Sequence, residues 1–205
     1  VAMAGDRPIH IHIAEQVKEV EDSIAWSGRR PVEWLLDNQP VDGRWCFIHA
    51  THMTEAETRG MAKAGAIAGL CPVTEANLGD GTFPAPDFLA AGGRYGVGSD
   101  SNVLIGLPDE LRQLEYSQRL FHRARNVLAA PGGSTGRALF DGALAGGAVE
   151  IVGRCVGCEV GVARQRILEL VKLDGLGGLD LFGRAGADEH RLAAPLGSQR
   201  HAGRQ

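Results

Sequence analysis

From residue 8 onward, apolar and polar positions alternate: Ile9, Ile11 and Ile13 are separated by His10 and His12. Successive side chains of an extended chain point to opposite faces, so this period of two predicts a strand over 9–13. The spacing then becomes helical from about Val17 to Asn38, broken at Gly28-Arg29-Arg30-Pro31. Pro31 suits the first turn of a second helix, where a missing N–H removes no bond. A second apolar run, Trp45 to Ile48, ends at His49. Thr54 followed by Glu57 is a capping-box pattern, in which each side chain accepts the other's backbone N–H, and it predicts a short helix to about Ala64. A third run, Ala66 to Cys71, stops at Pro72 and is expected to enter a long loop. A fourth strand is predicted over Arg94–Val97, ending at Gly98-Ser99-Asp100. Past Pro108 an amphipathic stretch reaches about Leu128, and another helix is expected from about Ser134 to Leu144.

Strands alternating with helices at this spacing indicate βαβ units on a parallel sheet. Ionisable residues recur just past the strand ends: Glu15 after the first, His49 at the second, Asp100 after the fourth. In a (β/α) barrel that edge is the catalytic face. Four units are half of eight, and a whole barrel takes about 250 residues, so the fold implied is larger than this chain. The expected organisation is an α/β half-barrel over residues 1–150 and an irregular tail over 151–205, rich in Gly, Arg and Ala with little periodicity.

Composition narrows the function classes. Among 205 residues, 44% are hydrophobic and 22% charged, which places the chain with folded globular domains. A net charge of −4 without a Lys/Arg run argues against nucleic acid as a partner. No apolar stretch is long enough to cross a bilayer and no signal-peptide pattern opens the chain, so the expectation is a cytoplasmic protein with no membrane partner. Of Cys46, Cys71, Cys155 and Cys158, only the last two are close together, and a lone CxxC without a second pair reads as incidental.

Three short motifs carry candidate chemistry. His12 with Glu15 three residues on offers a nitrogen ligand and a carboxylate that can reach over the same site. A buried or surface histidine beside a helix-opening glutamate is the plainer explanation of that motif alone. His10, on the same strand face, is either a core residue one layer lower or an additional site residue. His49 and His52 could form a metal pair, but a strand-end His49 bonded to substrate is at least as good, with His52 structural or exposed. Asp100 beyond a Gly-flanked strand end can ligate a metal and accept a proton; capping the next turn is the alternative.

Taken in order, a strand-end His-x-x-Glu, a strand-end His and a strand-end Ser-Asp resemble the fifth, sixth and eighth strands of the amidohydrolase superfamily barrel. The likeness spans roughly the first 145 residues. Within that superfamily it is nearest the N-formimino-L-glutamate deiminases of histidine breakdown. It rests on His10-Ile-His-Ile-Ala-Glu-Gln16, Ala25-Trp-Ser-Gly28, Arg30-Pro-Val-Glu-Trp-Leu35, Phe47-Ile-His-Ala-Thr-His-Met53 and, most discriminating, Gly69-Leu-Cys-Pro-Val-Thr-Glu-Ala-Asn-Leu-Gly-Asp-Gly81.

The resemblance implies strands five to eight of a (β/α)8 barrel and hydrolytic deamination of N-formimino-L-glutamate to N-formyl-L-glutamate and ammonia. By the same resemblance, His12 and Asp100 hold a single Zn2+, Asp100 also acts as base, Glu15 moves protons to the leaving ammonia and His49 polarises the formimino carbon's substituents. The partner is a small-molecule substrate, and a homodimer of the full-length parent is allowed. The family's first-strand His-x-His is absent, so the chain by itself is expected to bind metal weakly and to be inactive. The family's closing β-domain signature is also absent after about residue 160, where a changed reading frame or genuine divergence would give such a tail. Two other readings stand: a guanine, adenosine-derivative or triazine deaminase, which would use the same residues, and a non-catalytic half-barrel with open sheet edges.

Overall fold

The computed structural model describes residues 5–152. Four strands form one parallel sheet in the order β1 (Ile9–Ile13), β2 (Trp45–His49), β3 (Ile67–Leu70) and β4 (Arg94–Val97). Register runs from Ile13 opposite His49 through Ile48 opposite Gly69 to Leu70 opposite Val97, which brings the strand ends together along one edge. Parallel neighbours need crossovers, and helices supply them. α1 (Val17–Ser27) and α2 (Pro31–Asn38) follow β1, α3 (Glu55–Ala64) follows β2, and α4 (Pro72–Leu78) and α5 (Ala85–Ala90) follow β3. α6 (Leu107–His122) and α7 (Thr135–Val152) come after β4. The α/β class and the four strands expected from the apolar runs are present.

The local signals act as their chemistry requires. Gly28 closes α1 at φ 73°, a left-handed conformation that glycine adopts without a Cβ clash, and its N–H bonds to the Ile24 carbonyl. The Thr54–Glu57 box forms: Thr54 Oγ1 accepts the Glu57 N–H at 3.2 Å, and Glu57 Oε2 accepts the Thr54 N–H at 2.8 Å. Glu57 is buried and also accepts from Arg30 Nε at 2.8 Å and from the Glu33 N–H at 3.2 Å, so one carboxylate ties α2 to α3.

Central strands β2 and β3 are buried almost throughout, whereas β1 alternates. Ile9, Ile11 and Ile13 face a core that includes Val20, Phe47, Met61 and Leu70, and His10 and His12 stand exposed on the opposite face of β1. On β4, the Tyr95 hydroxyl donates to the Leu139 carbonyl of α7 at 2.9 Å. α7 lies so close that an added Cβ at Gly142 would stand 2.7 Å from Tyr95 Oη.

Three expectations are corrected. The segment after β3 is not a long loop but α4 and α5; Pro72 and Pro86 occupy first helical turns, where proline starts a helix, and Gly79 at φ 74° ends α4. α6 stops at His122 instead of near Leu128, with Arg123 left-handed at φ 52°. Beyond it the buried Glu115 carboxylate accepts the N–H groups of Val127 and Leu128, which holds the chain in a turn. α7 continues past Leu144 to Val152. Its Gly146-Gly147 pair reads as a breaker in sequence, but Gly146 is where the helix meets the backbone of β4. Cys155, Cys158 and nearly all of the 151–205 tail lie outside the described residues. No helix among those described is long and apolar enough to cross a membrane.

Candidate active site at the strand ends

Backbone conformation aims the site residues. Ala14, His49, Ala50 and Asp100 all have φ between 49° and 66°, a left-handed region costly to residues with a Cβ. Each lies just at or past a strand end, where strained backbone tends to accompany function. Hydrogen bonds hold the turns. Glu19 accepts the Ala14 and Glu15 N–H groups at 2.7 and 2.8 Å, Ala50 N bonds to the Ile13 carbonyl at 3.0 Å, and His52 N bonds to the Ala14 carbonyl at 2.9 Å. On β4, Gly98 N donates to the Leu70 carbonyl at 2.9 Å and Ser101 N to Asp100 Oδ1 at 2.7 Å.

His49 is the hub, with 1% of its surface exposed. Its Nε2 lies 3.7 Å from Glu15 Oε1 and 3.8 Å from Asp100 Oδ2, and its Nδ1 lies 3.3 Å from Glu75 Oε1. The His12 ring stands 5.5 Å away, tilted by 38°. The structure therefore gathers Glu15 and Asp100 around the His49 imidazole, with His12 beside it. The 3.7 and 3.8 Å separations exceed direct hydrogen bonds and leave Nε2 free to meet a substrate between the two carboxylates. Burial alone would lower the His49 pKa, but the Glu75 hydrogen bond and the charges of Glu15, Glu75 and Asp100 outweigh it, and the imidazole is held above its ordinary value.

Metal-ligating atoms converge at the same place: one each from His49, Cys71 and Asp100 lie within 4.8 Å of one another. Burial, then the charges of Glu75 and Asp100, push the Cys71 thiol up to about 12, so it carries its proton unless a cation displaces it. Nitrogen, sulfur and oxygen are all donors that zinc takes. With His12 alongside, the residues present fit a divalent cation.

His52 does not join this group. Its carbonyl accepts from Arg30 Nη2 at 2.6 Å, and its half-buried ring lines a separate cavity of about 650 Å3 with Val17, Phe83, Gln118 and Phe121. His10 sits on the same exposed face of β1 as His12.

Sequence reasoning missed Glu75 and Glu110. Both are buried, and Glu110 Oε2 accepts the Val73 N–H at 2.9 Å at the start of α4. Burial raises the Glu110 pKa against the Val73 N–H, which lowers it, and the Glu75, Asp109 and Asp100 charges add to the rise. The signal for Glu75 was Pro72 opening a helix, which puts residue 75 back over Cys71; reading the segment as loop concealed it.

Residues 1–138 match the model of the amidohydrolase family. The chain belongs to that family. It is 57% identical over 171 residues to formimidoylglutamate deiminase of Pseudomonas aeruginosa, an alignment covering 83% of this chain and 37% of that protein. Among solved structures, an amidohydrolase from Brucella melitensis is 77% identical with a TM-score of 0.71, over 73% of this chain and 33% of the other. An adenosine deaminase from Xanthomonas campestris with bound zinc is 27% identical with a TM-score of 0.65, over 72% and 33%. The chain thus spans little more than a third of the length of the relatives it matches. Membership in the amidohydrolase family, expected from the strand-end motifs, is borne out.

Proposed function

We propose that this chain supplies the last four strand–helix units of a (β/α)8 barrel, and that the completed protein hydrolyses N-formimino-L-glutamate to N-formyl-L-glutamate and ammonia. The observation that carries this reading is His49 set between Glu15 and Asp100 at the strand ends, in a chain 57% identical to a formimidoylglutamate deiminase. Four parallel strands with edges at β1 and β4, covering about a third of the relatives' length, support the half-barrel.

His12 and Asp100 would hold the metal, zinc by donor type, which when bound polarises the C=N group and lowers the pKa of water. Asp100 takes a proton from the attacking water as its oxygen bonds to the formimino carbon. His49, whose pKa the carboxylates around it raise against burial, presents Nε2 to the oxygen on which charge develops. Glu15 carries a proton to the imino nitrogen. The C–N bond breaks and ammonia leaves; both water protons end on nitrogen and the oxygen remains as the formyl carbonyl.

The test is ammonia release by the full-length protein from N-formimino-L-glutamate and from guanine. Activity on the linear amidine is expected, with Asp100→Asn lowering kcat by roughly 10²-fold or more, the usual contribution of a general base. Turnover of guanine without turnover of the linear substrate would refute the assignment.

A further inference from the structure

The geometry points to Glu75 as a positioning residue that fixes His49 with a hydrogen on Nδ1 and its Nε2 turned to the reacting atoms. This inference rests on the deiminase reading for its kinetic consequence but not for its structural one. Glu75 is 4% exposed, and its Oε1 faces two nitrogens: the Cys71 N–H at 2.9 Å and His49 Nδ1 at 3.3 Å. A carboxylate only accepts, so the ring nitrogen facing it carries the hydrogen. That leaves Nε2 directed to Glu15 and Asp100, the arrangement the proposed chemistry requires. A ring rotated by half a turn would lose its buried acceptor and leave a buried N–H unpaired, which disfavours that orientation.

Glu75 is itself held on several sides. Val73 N donates to Glu110, the Thr74 hydroxyl donates to the Ser99 carbonyl at 3.3 Å, and Asp80 N donates to the Glu75 carbonyl at 2.9 Å. The Thr74 bond joins α4 to the residue immediately before Asp100. Glu75, His49 and Asp100 therefore share one frame, and α4 sets the ring's orientation relative to the base. The rival explanation is that Glu75 only caps the start of α4 through the Cys71 N–H, with His49 as a bystander.

Three proteins separate these: wild type, Glu75→Gln, which keeps an accepting oxygen, and Glu75→Ala, which removes it. In the present chain, proton NMR should show a hydrogen-bonded Nδ1–H resonance of His49, identified by its loss in His49→Gln. It should survive Glu75→Gln and vanish in Glu75→Ala. In the full-length protein, Glu75→Ala should lower kcat and kcat/KM together by roughly 10–100-fold, the usual effect of removing such a partner, and Glu75→Gln should recover most of the loss. No such resonance in the wild-type chain, or its persistence in Glu75→Ala, overturns the inference even if a variant folds poorly. Should the full-length protein leave N-formimino-L-glutamate untouched, the deiminase reading fails while the resonance still decides the Glu75–His49 pair.

Discussion

Gly146 and Gly147 are neighbours in α7, yet a methyl group added to each meets opposite surroundings. Nothing lies within 4 Å of a Cβ at Gly147, whereas one at Gly146 would run into the Tyr95 carbonyl and stand 2.9 Å from Gly96 N. Alanine is favoured over glycine inside a helix by about 0.5–1 kcal/mol, and Gly147→Ala should gain that much. At Gly146 the obstacle is strand backbone, which cannot rotate aside as a side chain would. The helix must lift from β4, straining the Tyr95–Leu139 hydrogen bond. Overpacking of this kind costs about 1–3 kcal/mol, and backbone contact places it near the upper end, for a net loss of about 2 kcal/mol after the propensity gain. The two variants should then differ by about 3 kcal/mol, or roughly 6–12 °C in Tm for a chain of this size. Urea and thermal unfolding followed by circular dichroism would measure both. Because β4 leads into Asp100, Gly146→Ala should also lower turnover in the full-length protein. Equal stabilisation by the two substitutions would refute the close approach of α7 to β4.

Two further outcomes follow from buried carboxylates. Arg30→Ala should destabilise the chain by about 3 kcal/mol, the low end for breaking a buried pair, because Glu57 keeps its backbone donors from Thr54 and Glu33. Adding Glu57→Gln should restore part of that loss in urea unfolding, and strict additivity of the two changes would count against the pairing. Glu110 has a folded pKa raised above its ordinary 4.5, so its stabilising contribution is complete below 4.5 and is lost as pH rises through the folded value. Wild type should therefore lose stability relative to Glu110→Gln as pH rises above 4.5, and a pH-independent difference would contradict the burial argument.

Much of this arrangement was legible in the sequence because it depends on local rules. Alternating Ile and His set β1, the Thr54–Glu57 box set α3, and the strand-end positions of Glu15, His49 and Asp100 placed them together before any coordinate was known. What escaped depends on tertiary contact. Pro72 and Pro86 are breakers or helix starters according to which side of them the chain turns. Gly146-Gly147 looks like a stop unless a strand lies against it. Glu75 looks like one more loop acid until α4 folds it against His49, a partner 26 residues away in the chain.

The left-handed residues at the strand ends bear on how such a site can change. Ala14 and Ala50 each hold a conformation that costs an alanine about 1–2 kcal/mol, yet glycine there would give back about 0.5–1 kcal/mol through the freedom it adds to the unfolded chain. The difference, about 0.5–1 kcal/mol in glycine's favour, is a modest pull, and a stiffer rim persists at that small disadvantage. A rim that does not flex carries new specificity through replaced side chains more readily than through bent loops. Divergence of substrate on this scaffold should accordingly be written in residue identities at fixed positions, with the backbone path of β1, β2 and β4 left almost untouched.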